Sequence, residues 1–221
     1  MIFTAMKIRD FLFYKQDSCH ICLNEVTSNY ICPSCLDNFE FTDGSFDLDQ
    51  DKVYYPLFYN NFLKEIIRKY KFEKQTYLVK PLALILFEYI KTKKELLEAD
   101  YISYVPMDKK SEFSRGYNQA KLLAEELGKY LGLPVIELFQ KTKKTKEQNK
   151  LSVQERKINL KSSFAVINPC QIKDKRIILI DDLVTTGNTL KSAKRVIEKN
   201  YQLNLSFLVL SSSRIGEDND D

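Results

Sequence analysis

The chain has 221 residues, 44% hydrophobic and 29% charged, with a formal net charge of +4. That composition belongs to a folded protein with enough length for a proper core and excludes a disordered chain. No apolar run approaches the roughly 18–20 residues of a membrane span, and the first ten residues show no signal peptide, so a cytoplasmic protein is expected.

Four of the five cysteines form two pairs, Cys19-His20-Ile21-Cys22 and Cys32-Pro33-Ser34-Cys35, nine residues apart. This spacing lets two tight turns bring four thiolates around one tetrahedral zinc. A redox pair would need only one such motif, and disulfides would need an oxidising compartment. A structural zinc knuckle over about residues 15–40 is therefore expected, with His20 a less favoured ligand and Cys170 an ordinary thiol. From Asp37 to Asp51 there are six acids and no base. Residues 41–52 read as an acidic, turn-prone linker.

Beyond it the periodicity changes. Val53 to Tyr59 is rich in β-formers, and Phe62, Leu63, Ile66, Ile67 and Tyr70 recur at helical spacing. A second helix is expected from Thr76 to Leu97, with Pro81 in its first turns. Tyr101 to Pro106 reads as a strand, Asn118 to Leu131 as an amphipathic helix, and Pro134 to Phe139 as a strand. From Lys141 to Lys161 eight bases face two acids, a local surplus of +6 that exceeds the whole chain's. That stretch is a solvated connection or an anion site. Ser152 to Glu155 has the form of a capping box opening a short helix. Arg176 to Ile180 and Leu203 to Leu210 are continuous apolar runs, the mark of strands covered on both faces, with a helix over Asn188 to Lys199 between them. The tail from Glu217 is acidic. Alternating strands and helices after residue 53 indicate an α/β fold with a mainly parallel sheet.

The most informative segment is Ile177 to Thr189. A buried strand delivers Asp181 and Asp182 at its carboxyl end, where open α/β sheets bind ligands. Neighbouring carboxylates can accept hydrogen bonds from a vicinal diol. Leu183 and Val184 then lead into Thr185, Thr186, Gly187, Asn188 and Thr189, small hydroxylated residues ahead of a helix N-terminus, which favours a phosphate. A diol site beside a phosphate site suits a ribose 5-phosphate. A Walker-type nucleotide site is excluded because no glycine lies in a G-x-x-x-x-G-K-[ST] setting, and no G-x-G-x-x-G occurs. The bland alternative is a strand capped by acids and a turn.

This segment resembles the phosphoribosyl-pyrophosphate (PRPP) signature of type I phosphoribosyltransferases. Val105-Pro106, Arg115 to Ala120 with Leu123-Ala124, Thr145 to Gln148, Leu151-Ser152, Glu155-Arg156, Asn159 and Phe164, together with the cysteine pairs, are similar to the ComF family of ComFC-type competence proteins. The resemblance implies a type I phosphoribosyltransferase fold carrying a small N-terminal four-cysteine zinc knuckle. It divides the chain into a zinc-finger module (1–45), a linker (46–56), a phosphoribosyltransferase-like domain (57–214) and an acidic tail (215–221). It implies that Asp181 and Asp182 hold ribose hydroxyls, that Thr185 to Thr189 cradle the 5-phosphate, and that Lys109 and Lys110, with Arg115 beyond them, form the pyrophosphate loop. The basic stretch at 141–150 corresponds to the mobile flap. Where the family often has arginines before the Arg-Gly, this chain has Ser111, Glu112 and Phe113, which leaves the pyrophosphate to the two lysines. The implied cofactors are structural zinc at Cys19, Cys22, Cys32 and Cys35, and Mg2+ bound with PRPP. The implied role is in natural competence, either as a pentosyl-transferring enzyme or as a non-catalytic adaptor for single-stranded DNA beside a ComFA-type helicase. A purine or orotate salvage enzyme is less compatible with the knuckle.

Overall fold

In the computed structural model, which describes residues 18–24, 29–48, 51–141, 164–167, 172–201 and 203–213, the acidic stretch expected to be a linker is a strand. After a one-turn helix, α1 (Pro33–Leu36), the chain forms β1 (Phe41–Leu48) and β2 (Asp51–Phe58), an antiparallel pair. The linker reading counted acids without their positions. Thr42, Gly44, Phe46 and Leu48 are the more covered residues, and Phe41, Asp43, Ser45 and Asp47 between them are exposed. That is the period of a strand with one covered face. β1 is the outer strand of its sheet, where exposed charge discourages pairing with another chain. Gly44 is required here, since a Cβ would lie 2.1 Å from the Tyr55 ring. Lys194, only 2% exposed, fastens the hairpin from below. It donates to the Leu48 carbonyl at 3.0 Å and pairs with Asp51 at 2.9 Å, which offsets the cost of burying its charge.

Asn61–Phe72 is α2. Asn60 caps it by accepting from the Leu63 amide at 2.9 Å, and Leu63, Ile66, Ile67 and Tyr70 make its buried face. The long helix expected next is divided. A 3-10 turn (Thr76–Leu78) leads into α3 (Val79–Ile90), and α4 (Lys94–Leu97) stands apart. The Thr92 hydroxyl donates to the Tyr89 carbonyl at 2.7 Å, competing for a group that a continuing helix would use. Lys93 turns aside to pair with Asp43.

The remaining elements are β3 (Tyr101–Tyr104), α5 (Lys109–Arg115), α6 (Gln119–Leu131), β4 (Phe139–Lys141), β5 (Phe164–Val166), β6 (Arg176–Val184), α7 (Asn188–Asn200) and β7 (Asn204–Ser212). Of the strand expected at 134–139, Val135 makes an isolated parallel bridge with Ile102, while Phe139 opens β4, which pairs with β5. The basic stretch after Lys141, the helix at Ser152, Cys170 and the acidic tail lie outside the described residues.

The main sheet has the order β1-β2-β7-β6-β3, parallel except for the β1–β2 pair. Alternation sorts its side chains. Ile178, Ile180, Leu208 and Leu210 join the core with α2, α3 and α6, whereas Ile177, Leu179, Phe207 and Val209 join the core with α7, Phe139 and Phe164. Each such burial contributes about 1.5–3 kcal/mol. Coverage on both faces explains why β6 and β7 read as unbroken apolar runs. The carboxyl ends of β2, β7, β6 and β3 share one edge, which is where the acidic pair emerges.

Candidate functional site

The cysteine cluster is assembled as its spacing implies. The sulfurs of Cys19, Cys22, Cys32 and Cys35 all lie within 4.8 Å of one another, and those of Cys22 and Cys32 are 3.8 Å apart. Tetrahedral zinc with Zn–S bonds of about 2.3 Å would space its sulfurs about 3.8 Å apart, so the donor set fits a metal ion. Leu23 (φ 63°) and Tyr30 (φ 64°) take left-handed backbone around the cluster, a strained state for such residues that the closed knuckle imposes. Burial pushes the Cys32 thiol up to about 11, and Cys35 is raised further, by burial first and then by the other cysteines. A metal must therefore displace protons on entering. His20 is occupied elsewhere: its Nδ1 lies 3.0 Å from the Tyr77 carbonyl, and its ring packs against Tyr30 and Tyr77. The knuckle is not an appendage. Cys19, Ile31, Cys32, Cys35 and Phe39 belong to the same core as α2 and α3.

At the other site β3 runs out beside Ile180, where the Val105 amide donates to the Ile180 carbonyl at 2.9 Å. Asp181 and Asp182 therefore project past the end of β3 while β6 stays paired with β7. Strand alternation sends the two side chains to opposite sides. Asp182 continues the Ile178–Ile180 side, facing α2, where Lys71 meets its Oδ1 at 2.8 Å. Asp181 folds its Oδ1 back to accept from the Asp182 amide at 2.9 Å. Burial first, and then the neighbouring Asp182, push the Asp181 carboxyl up to about 7, against the pull of Lys71 and Lys141.

Beyond Val184 the loop exposes Thr185, Thr186, Asn188 and Thr189, and Gly187 (φ 72°) turns the chain into α7. Only a residue without a Cβ takes that conformation cheaply. Gly187 has no side chain to cap α7, Thr186 Oγ1 accepts from the Asn188 amide at 3.5 Å, and no acid sits in the first turn. The positive end of the helix dipole therefore favours an anion. The expected turn at Lys109 and Lys110 is a helix, α5, with both lysines exposed at its first two positions and Asp108 as the cap, accepting from the Ser111 amide at 2.9 Å. Arg115 is half-buried and already has partners within the protein. It donates to Gln119 Oε1 at 2.8 Å and lies 4.9 Å from the centre of the Phe72 ring. Gln119 is buried, and its Nε2 finds no hydrogen-bond partner among the described residues. Lys71 and Phe72 were not singled out from the sequence, and Gln119 entered only as part of the Arg115 to Ala120 block of the family resemblance.

A phosphoribosyl transferase domain model matches residues 114–221, from the end of α5 through β7. The chain is 31% identical over 142 residues to Competence protein F of Haemophilus influenzae, covering 62% of each chain. The chain is thus similar to phosphoribosyl transferase domains over residues 114–221 and to the competence F proteins over a longer stretch. Over a longer span, Competence protein ComFC of Bacillus subtilis is 28% identical over 198 residues, covering 88% of this chain and 78% of its own. The match to the Haemophilus protein spans less than two thirds of that relative's length. Among solved structures, adenine phosphoribosyltransferase from Leishmania tarentolae aligns with a TM-score of 0.41 at 16% identity, over 72% of this chain and 78% of that one. The domain match begins only at Ser114, so the cysteine centre, β1, β2, α2 and Lys71 lie outside it. Among the described residues no helix is long and apolar enough to cross a membrane.

Proposed function

We propose that this homologue of the competence proteins binds PRPP, or a related ribose 5-phosphate, through Asp181 to Thr189 and transfers the phosphoribosyl group in the service of DNA uptake. The observation that carries this reading is the order of parts along one sheet edge. Two carboxylates lie near the carboxyl end of β6, the second of them two residues before it ends at Val184, and a small-residue loop leads from there to the acid-free N-terminus of a 13-residue helix. The carboxylates accept from ribose hydroxyls, and the loop amides hold the 5-phosphate. Lys109 and Lys110 neutralise the pyrophosphate. An acceptor attacks the anomeric carbon, the C1–O bond breaks, and its electron pair leaves with pyrophosphate. Positioning and charge stabilisation suffice for so loose a transition state, and no nucleophile is needed from the protein. Mg2+ bound with PRPP would make pyrophosphate a better leaving group. Zinc is the ion proposed for the four sulfurs. The relatives' names support a competence role, and the location proposed with it is the cytoplasm, beside an ATP-driven, ComFA-type helicase.

PRPP with Mg2+ at millimolar concentration is expected to raise the melting temperature by about 5–10 °C, the shift of a ligand near a hundred times its Kd. The double variant Asp181→Asn, Asp182→Asn abolishes that shift. A wild-type protein indifferent to PRPP defeats the reading.

One observation favours a second role in holding single-stranded DNA. Phe113 is 92% exposed and Phe72 64%, beside Arg115 and the two exposed lysines of α5, a pairing of rings and charge suited to stacked bases. Gel-shift titration over a salt series checks it, and no binding even at low salt removes DNA as a direct ligand.

A further inference from the structure

We propose that Lys71 is a positioning residue of the acidic pair on β6, holding the Asp182 carboxylate aimed while Asp181 is kept back as the second partner of the bound sugar. The proposal rests on the ribose-phosphate reading above and adds to it a residue from outside the matched domain. Lys71 Nζ lies 2.8 Å from Asp182 Oδ1, with only 20% of the lysine side chain and 11% of the aspartate's exposed. An exposed pair of this kind would do little. A desolvated one fixes geometry, because breaking it strands a charge.

The lysine is itself held in place from both sides. Tyr70, fully buried, donates through its hydroxyl to the Gln119 carbonyl at 2.9 Å. The Tyr117 hydroxyl in turn donates to the Tyr70 carbonyl. On the other side Phe72 lies under the Arg115 guanidinium. The last turn of α2 is thus tied to the start of α6 and the end of α5, and Lys71 sits between the ties. An ionised carboxylate offers about four acceptor sites. Lys71 therefore occupies part of Asp182 and leaves capacity for a ribose hydroxyl.

The charge argument points the same way. Adjacent carboxylates out of water do not both ionise readily without a cation. The groups that act on this pair are Lys71 and Tyr70 from α2, Lys141 from β4, and the two aspartates themselves. Lys141 also leans toward Asp108, at 4.0 Å, so Lys71 is the cation in direct contact.

The test compares full-length wild type with Lys71→Met, Lys71→Gln and Lys71→Arg. Carbon-13 carboxyl NMR follows the Asp181 titration without ligand, and calorimetry measures affinity for PRPP with Mg2+ from pH 6 to 8.5. Loss of the charge in Met or Gln is expected to move the Asp181 midpoint upward by about one unit and weaken PRPP about tenfold near neutral pH. Arg is expected to restore both, since it keeps the charge. The Gln variant keeps a hydrogen-bond donor and serves if Met does not fold. A titration unmoved in a folded, neutral variant overturns the positioning role whatever PRPP does. A titration that moves while wild type ignores PRPP upholds it and defeats the ligand assignment instead.

Discussion

Cys35 and Asp181 are both acids pushed up by burial first and by a neighbouring acid second. The two sites resolve that strain differently. At the strand end the chain supplies its own counter-charge, with Lys71 against Asp182 and Lys141 acting on Asp181. One carboxylate is paired while the other is pushed toward its neutral form. In the knuckle the other cysteines push Cys35 the same way, so the compensating charge has to come from an ion. A site that imports its cation is closed once filled and serves the fold. A site that carries its cation stays intact when empty and can exchange ligands.

Metal removal breaks this comparison most severely. A chelator, or Cys32→Ser, leaves buried thiols and left-handed Leu23 and Tyr30 without their constraint. The knuckle shares a core with α2 and α3, and its His20 is bonded to the Tyr77 carbonyl. The loss should therefore spread into the main domain. We expect at least about 3 kcal/mol and a melting temperature lower by about 10 °C in calorimetry. Fresh protein carrying well under one equivalent of zinc would sink the four-thiolate assignment.

The difference between the sites also governs what could be read in advance. The cysteine spacing announced its own cluster, because two short motifs specify local turns. The apolar runs of β6 and β7 announced a sheet covered on both faces, because both cores take alternate residues from them. β1 was hidden because its acids occupy the outward positions of an edge strand, and charge outweighed the quieter alternation of Thr42, Gly44, Phe46 and Leu48. The end of α3 at Ile90 depends on the Thr92 hydroxyl and on Lys93 reaching Asp43, a contact across 50 residues of chain. The acidic pair was legible as a motif, but its cation was not. No local pattern distinguishes Lys71 from Lys69, and only the packing of α2 on the sheet brings one of them to Asp182.

A second prediction sharpens the comparison through pH. The folded value of Asp181 lies near 7, above its ordinary 3.8, so ionising it opposes folding. The cost is absent below about pH 4, grows between pH 4 and 7, and is complete above 7. Asp181→Asn removes it. The variant should gain about 1–2 kcal/mol at pH 8, read as a melting temperature higher by about 2–8 °C, and gain nothing at pH 4. An equal effect at both values would mean that the amide stabilises through packing and that the carboxyl is not strained. In the knuckle the corresponding substitution is expected to be destabilising, because there the thiols would be needed to hold a metal ion.

The smallest effects separate the two kinds of positive charge at the strand end. Lys109 and Lys110 are exposed at the start of α5, where the helix dipole repels them. Nothing in the folded core requires them there. Changing both to alanine should leave stability within about 0.5 kcal/mol and weaken PRPP binding several-fold, more at low salt than at high salt. Arg115 is the opposite case. Its guanidinium is held by Gln119 Oε1 and the Phe72 ring, so Arg115→Ala should cost about 1 kcal/mol of stability. It should leave PRPP affinity nearly unchanged unless the guanidinium leaves its partners when ligand binds. Denaturant midpoints and calorimetry on the same two variants separate these outcomes. If Arg115→Ala loses affinity with its stability intact, the arginine belongs to the pyrophosphate and its packing is only the resting state. If the lysine pair loses stability and keeps affinity, α5 is a structural cap and the charge that the ligand meets must come from elsewhere on the edge.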